Sequence, residues 1–94
     1  MKYWIANIDE RNGEFEYEQT IIFTAATKAE ADDTHEFYAS TWYGEDNMRW
    51  DEDDNCWWNE PVAVTEGRMT EIDEHTFEQM RKHGDMSDMT RMER

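Results

Sequence analysis

Ninety-four residues make one domain, enough for a single small core and too few for two. Nine basic side chains stand against 24 acidic ones, and the formal charge of −15 repels nucleic acid and anionic membranes as direct partners. A hydrophobic fraction of 37% is modest, but 14% of residues are aromatic and each buries a large apolar area, so a folded chain is expected over a disordered acidic one.

The charge is unevenly spread. Residues 1–80 carry 21 acids and 5 bases, whereas residues 81–94 carry 3 acids and 4 bases. A negative body of this kind suits a partner with a positive surface. The single cysteine, Cys56, has no internal partner for a disulfide and fits a reducing compartment. The start, "MKYWIANIDE", has neither the apolar stretch nor the small-residue cleavage site of a signal peptide, and no run is long enough to span a bilayer. The expected location is the cytoplasm.

In chain order, the first element is a β-hairpin. Asn12-Gly13 separates two strand-like runs in "KYWIANIDERNGEFEYEQTIIFT", and this dipeptide is a strong hairpin signal. With Asn-Gly as the turn, Arg11 faces Glu14, Asp9 faces Glu16, Ile8 faces Tyr17 and Trp4 faces Ile21. One sheet face then holds Trp4, Ala6, Ile8, Phe15, Tyr17, Ile21 and Phe23. The other holds Asn7, Asp9, Glu14, Glu16, Glu18 and Thr20, with Tyr3, Ile5 and Ile22 at its far end.

A helix follows. Thr27-Lys28-Ala29-Glu30 matches a capping box, Ala31, Thr34, Tyr38 and Trp42 recur at helical spacing, and Gly44 is expected to end it. "NMRW" and "CWWN" read as short strands flanking the acidic turn "DEDDN", with Pro61 at a boundary. Val62, Val64 and Met69 to Ile72 suggest another strand, interrupted or bulged near Gly67. A second helix begins at Asp73 as N-cap, with Ile72 and Phe77 at the staple positions, and Gly84 ends it. The reading is α+β, in the order β-β-α-β-(β)-α, a small antiparallel sheet with two helices on one face. Residues 1–84 form the domain. Residues 85–94, with Met86, Met89 and Met92, form a partly ordered tail.

Chemistry-bearing patterns are few. Asp51, Asp53 and Asn55 match the first ligand positions of a calcium loop, but Cys56 stands where its glycine belongs and Val62 where its bidentate glutamate belongs. His35, His75 and His83 lack zinc-site spacing, and "HEFYA" has Ala39 in place of a second histidine. His35 reads as a helix-flank side chain. No phosphate-cradling glycine loop and no nucleophile elbow occur, and the acids around Cys56 raise its thiol pKa. The expectation is a protein without catalytic residues, metal or cofactor.

Aromatic residues divide between core and surface. Trp4, Phe15, Phe23, Tyr38 and Phe77 read as core, while adjacent Trp57 and Trp58 on a strand must point to opposite faces. Trp50 or Trp58 is left as an interface anchor.

The acids carry the functional signal. Asp9 across from Glu16 would be a destabilising like-charge pair. Glu14, Glu16 and Glu18 would line one face at roughly 7 Å intervals, twice the strand rise, which is comparable to the spacing of phosphates along a nucleic-acid strand. Glu45, Asp46, Asp51, Glu52, Asp53 and Asp54 make a second rank.

Small size, a pI near 4.3 and ranks of carboxylates over residues 9–60 give the chain a class-level resemblance to phage-encoded inhibitors that imitate DNA, among them anti-restriction and anti-CRISPR proteins. The resemblance implies a non-enzymatic binder that blocks a basic nucleic-acid-binding protein or nuclease complex. The residues expected to make the contact come from the charge and aromatic pattern of this chain: Asp9, the two acidic ranks and Trp50 or Trp58. The alternative is a structural or assembly module, homodimeric or larger, joined through exposed tryptophans and the Met-rich tail.

Overall fold

A computed structural model describes residues 1–83 and the backbone of residues 87 and 88. The strands are β1 (Lys2–Asn12), β2 (Phe15–Ala25), β3 (Arg49–Asp51), β4 (Cys56–Asn59), β5 (Val62–Ile72) and the short β6 (Ser87–Asp88). The helices are α1 (Lys28–Ser40) and α2 (Glu74–His83). Strands β1 to β5 pair antiparallel, β6 lies parallel to β2, and the sheet order is β3-β4-β5-β1-β2-β6. The α+β class is as expected. The Met-rich stretch and Gly84 lie outside the described residues, apart from the backbone of β6.

The β1–β2 hairpin forms, but its register is two residues from expectation. Asn12 pairs with Phe15, so Gly13 and Glu14 make the turn, with Gly13 in its first central position at φ +63°. Asp9 therefore faces Glu18, and Glu16 faces Arg11. A shift of two leaves every side chain on its expected face, because the strand repeat is also two. The observed register aligns Trp4, Ile5 and Ala6 with Phe23, Ile22 and Ile21, which stacks the largest apolar residues of both strands. It pairs Glu16 with Arg11 but leaves Asp9 opposite another carboxylate, Glu18. In Gly13→Val the added Cβ would meet no neighbouring atom within 4 Å. The positive φ is nevertheless hostile to a β-branched residue, so a loss of about 1–2 kcal/mol is expected as a lowered urea midpoint.

Helix α1 starts as the capping box requires on one side only. Thr27 Oγ1 accepts from the Glu30 amide at 3.2 Å, while the Glu30 carboxylate accepts from the Ala26 amide at 3.0 Å, one residue earlier than the motif predicts. The helix closes on Thr41, whose amide and hydroxyl both donate to the Phe37 carbonyl. Gly44, at φ +106°, shapes the turn beyond that cap and does not end the helix.

Ala31, Thr34, His35, Tyr38 and Ala39 are the buried residues of α1. Of these, Ala31, Tyr38 and Ala39 pack with Trp4, Ala6, Ile8, Ile21, Phe23 and Val64 into the main core. Thirteen helical residues span only about 20 Å, against about 36 Å for an eleven-residue strand. The helix thus covers the Trp4–Ala25 end and leaves the hairpin tip bare. Phe15, expected in the core, is 67% exposed, and Tyr17 is 52% exposed.

The two helices do not share a face. Tyr3 points away from Trp4, and its ring lies 4.9 Å from that of Phe77 on α2. Helix α2 therefore packs on the face opposite α1, at the end of the sheet where Tyr3, Ile5 and Ile22 lie. Asp73 caps α2 through a 2.6 Å bond from the Thr76 amide to Oδ1. That bond holds the Asp73 carboxyl below its ordinary value, with His75 adding to the effect and desolvation opposing it. A depressed carboxylate contributes stability that is present above its unfolded-state pKa and lost as pH falls through the folded-state value. Asp73→Asn keeps a capping oxygen, so a flatter acid limb in a plot of thermal midpoint against pH is expected. An unchanged limb would place the acid sensitivity elsewhere.

Candidate functional site

Two hairpins build the acidic surface. In β1 and β2 the odd and even positions, respectively, turn Asp9, Arg11, Glu16 and Glu18 to the face opposite α1. In β3 and β4, Asp51 pairs with Cys56 across a turn of Glu52, Asp53, Asp54 and Asn55. The Asp51 Oδ1 accepts from the amides of Asp53 and Asp54 at 3.0 and 3.3 Å, and Asn55 takes φ +54° to close the loop. Part of this acidic run is thus turn chemistry.

Strand β5 joins the hairpins by pairing with β4 on one side and β1 on the other. The result is a concavity of about 370 Å³ whose lining includes Asp9, Arg11, Glu16, Glu18, Asp54 and Thr65. Glu16 and Glu18 of the first expected rank and Asp54 of the second therefore converge with Asp9 on one hollow, with the Arg11 guanidinium among them.

The rest of the candidate set is dispersed. Glu14 sits exposed in the hairpin turn, so the strand rank is Glu16 and Glu18 alone. Glu45 and Asp46 are exposed in the α1–β3 connection, whose Met48 packs on the α1-side core. Glu52 and Asp53 are exposed at the β3–β4 turn. Trp57 pairs with Val64 and Trp58 with Ala63, so the neighbouring indoles do point to opposite faces. Trp50, 42% exposed, lies with Trp57 on the α1 side at 4.9 Å between rings. Trp58 is half-buried on the acidic side, and its Nε1 is enclosed without a hydrogen-bond partner among the described residues.

Asp9 is the most constrained acid. It is half-buried against Gly67, where β5 bulges so that Gly67 and Arg68 oppose Asn7 alone. A Cβ on Gly67 would lie 2.9 Å from both Asp9 Oδ2 and the Asn7 Cβ. The bulge near Gly67 matches the sequence reading. Asp9 Oδ1 is enclosed and has no hydrogen-bond partner among the described residues. Gly67→Ala is expected to cost about 1–3 kcal/mol by overpacking. Adding Asp9→Ala should recover only part of this, since the Asn7 contact remains. A midpoint shift in urea checks both.

On the opposite side of the bulge, His35 is buried rather than flanking the helix. Its Nε2 lies 2.6 Å from the Asn7 carbonyl, which can only accept, so Nε2 carries the proton. Its Nδ1 is 4.0 Å from Glu66 Oε1. Burial pushes the Glu66 carboxyl up, with Glu36 and Asp32 acting in the same sense and His35 against it. His35 escaped the sequence reading because the apolar stripe was read as one narrow row. The wider i, i+3, i+4 stripe typical of a core-facing helix includes it. Burial, then the Asp54 and Asp51 carboxylates, push the Cys56 thiol up, which disfavours the reactive thiolate.

Among the described residues, no three His, Cys, Asp or Glu side chains form a group able to hold a metal ion. No helix among them is long and apolar enough to cross a membrane. Comparisons of the chain with protein-family models, curated proteins and solved structures return no match.

Proposed function

We propose that the protein is a non-enzymatic acidic binder that docks on a basic nucleic-acid-binding partner and occludes the surface that partner uses for nucleic acid, acting in the cytoplasm. The convergence of Asp9, Glu16, Glu18 and Asp54 on one hollow carries this reading. Carboxylates from segments far apart in the chain make one negative field there, and the charge of −15 extends it. The resemblance to DNA-imitating inhibitors agrees with the charge and size.

The test is capture from a bacterial lysate at low and at high salt, followed by competition. A captured basic protein should lose its nucleic acid as this chain is added, and capture should fall steeply with salt. A partner that keeps its nucleic acid at saturation sinks the reading.

A second reading, an assembly module, is favoured by the exposed Phe15, Tyr17, Tyr43 and Trp50. It expects concentration-dependent self-association that resists salt, measurable by sedimentation.

A further inference from the structure

We propose that the outer edge of β2 between Phe15 and Thr20 accepts an extended peptide strand in which basic and apolar side chains alternate. The proposal shares Glu16 and Glu18 with the docking face, but it rests on a backbone edge unpaired among the described residues and not on the partner's being a nucleic-acid binder.

The edge is visible in the sheet order. Among the described residues, what lies beyond β2 is β6, and its two residues pair with Ile21 and Ile22. Among the described residues, the stretch from Phe15 to Thr20 has β1 on one side and no strand on the other. In a strand paired on one side, alternate residues turn their N–H and C=O groups outward, which leaves a ladder ready for a further strand. Strand addition to such an edge is a recurrent way of holding a peptide: the backbone supplies affinity and alternate side chains supply selection.

The side chains beside this edge specify the pattern. Glu16 and Glu18 lie on one face, while Phe15 and Tyr17 stand on the other, 67% and 52% exposed. An added strand lays its own residues alternately beside these two rows. Basic residues fit the glutamate row and apolar ones fit the aromatic row. Charge also disfavours a second copy of this chain at this edge. Pairing β2 with β2 would bring glutamate rows together, and each copy carries −15.

The experiment titrates the full chain with a short synthetic peptide of alternating lysine and valine, and with two forms of it, N-methylated on the lysine amides or on the valine amides. N-methylation keeps charge and side chains but removes ladder donors. The parent peptide should bind, and one methylated form should bind about tenfold more weakly or worse, as loss of ladder bonds requires, while the other keeps its affinity. Backbone-amide exchange should slow between Phe15 and Thr20. Equal binding by all three peptides reduces the contact to charge attraction and overturns strand addition while leaving the acidic docking face standing. Failure of the parent peptide to bind, or self-association that protects the same amides, also overturns it.

Discussion

Reversal of Glu16 and Glu18 to lysine is expected to slow association with the basic partner by about a hundredfold at low salt, and far less at high salt. Both side chains are exposed, and both line the hollow with Asp9 and Asp54. The fold should survive because the two changes act in opposite senses on the hairpin. Lysine at position 18 faces Asp9 and converts a like-charge pair into an attractive one, while lysine at position 16 faces Arg11 and does the reverse. Each cross-strand effect is roughly 0.2–1 kcal/mol, so their sum is small.

The second rank is tested with Glu52, Asp53 and Asp54 reversed and Asp51 kept, since the Asp51 carboxylate accepts two amides that hold the turn. Stopped-flow association at two salt concentrations, with thermal midpoints as controls, reads out both variants. Wild-type rates for both at low salt would end the docking proposal and leave the exposed aromatics as the better surface.

The largest stability effect is expected at Trp4. Its side chain is buried in the α1-side core, and its Nε1 donates to the Ala25 carbonyl at 3.2 Å. Trp4→Ala removes both the indole's apolar area and its hydrogen bond, at about 3–5 kcal/mol. That is a large share of the roughly 5–15 kcal/mol that holds a domain folded. Trp4→Phe keeps most of the ring but leaves the Ala25 carbonyl without this donor, a smaller loss of about 1–3 kcal/mol. Urea unfolding followed by far-ultraviolet circular dichroism separates the two without depending on tryptophan emission. Equal midpoints for alanine and phenylalanine would mean that the cavity collapses and the core closes over it.

Local chemistry made much of the fold legible in advance. Alternation placed Trp4, Ala6 and Ile8 on one face and Asp9 on the other, whichever register the hairpin took. Thr27 and Asp73 marked helix starts because capping needs only a side-chain oxygen and an amide three residues on. Gly67 marked a bulge because a glycine inside a strand pattern signals one, and in the fold a Cβ there would meet Asn7 and Asp9. The turn at Gly13 was visible only to within its neighbours, since Asn12-Gly13 and Gly13-Glu14 both use the glycine's positive φ. The choice between them came from stacking Trp4, Ile5 and Ala6 against Phe23, Ile22 and Ile21, a long-range packing preference.

By itself, then, the sequence determined the element types, the side of the sheet each strand residue faces, and the negative charge, because dihedral preference, the two-residue repeat and ionisation act within a few residues. Only the tertiary structure decided which acids meet. Asp54 joins Asp9, Glu16 and Glu18 because β5 inserts between β4 and β1, and that pairing depends on hydrogen-bonded ladders between distant segments. Tertiary packing likewise put α2 on the face opposite α1, buried His35 under the helix, and left Phe15 in water. A thirteen-residue helix is shorter than the strands beneath it, and a core can close only where a second layer reaches.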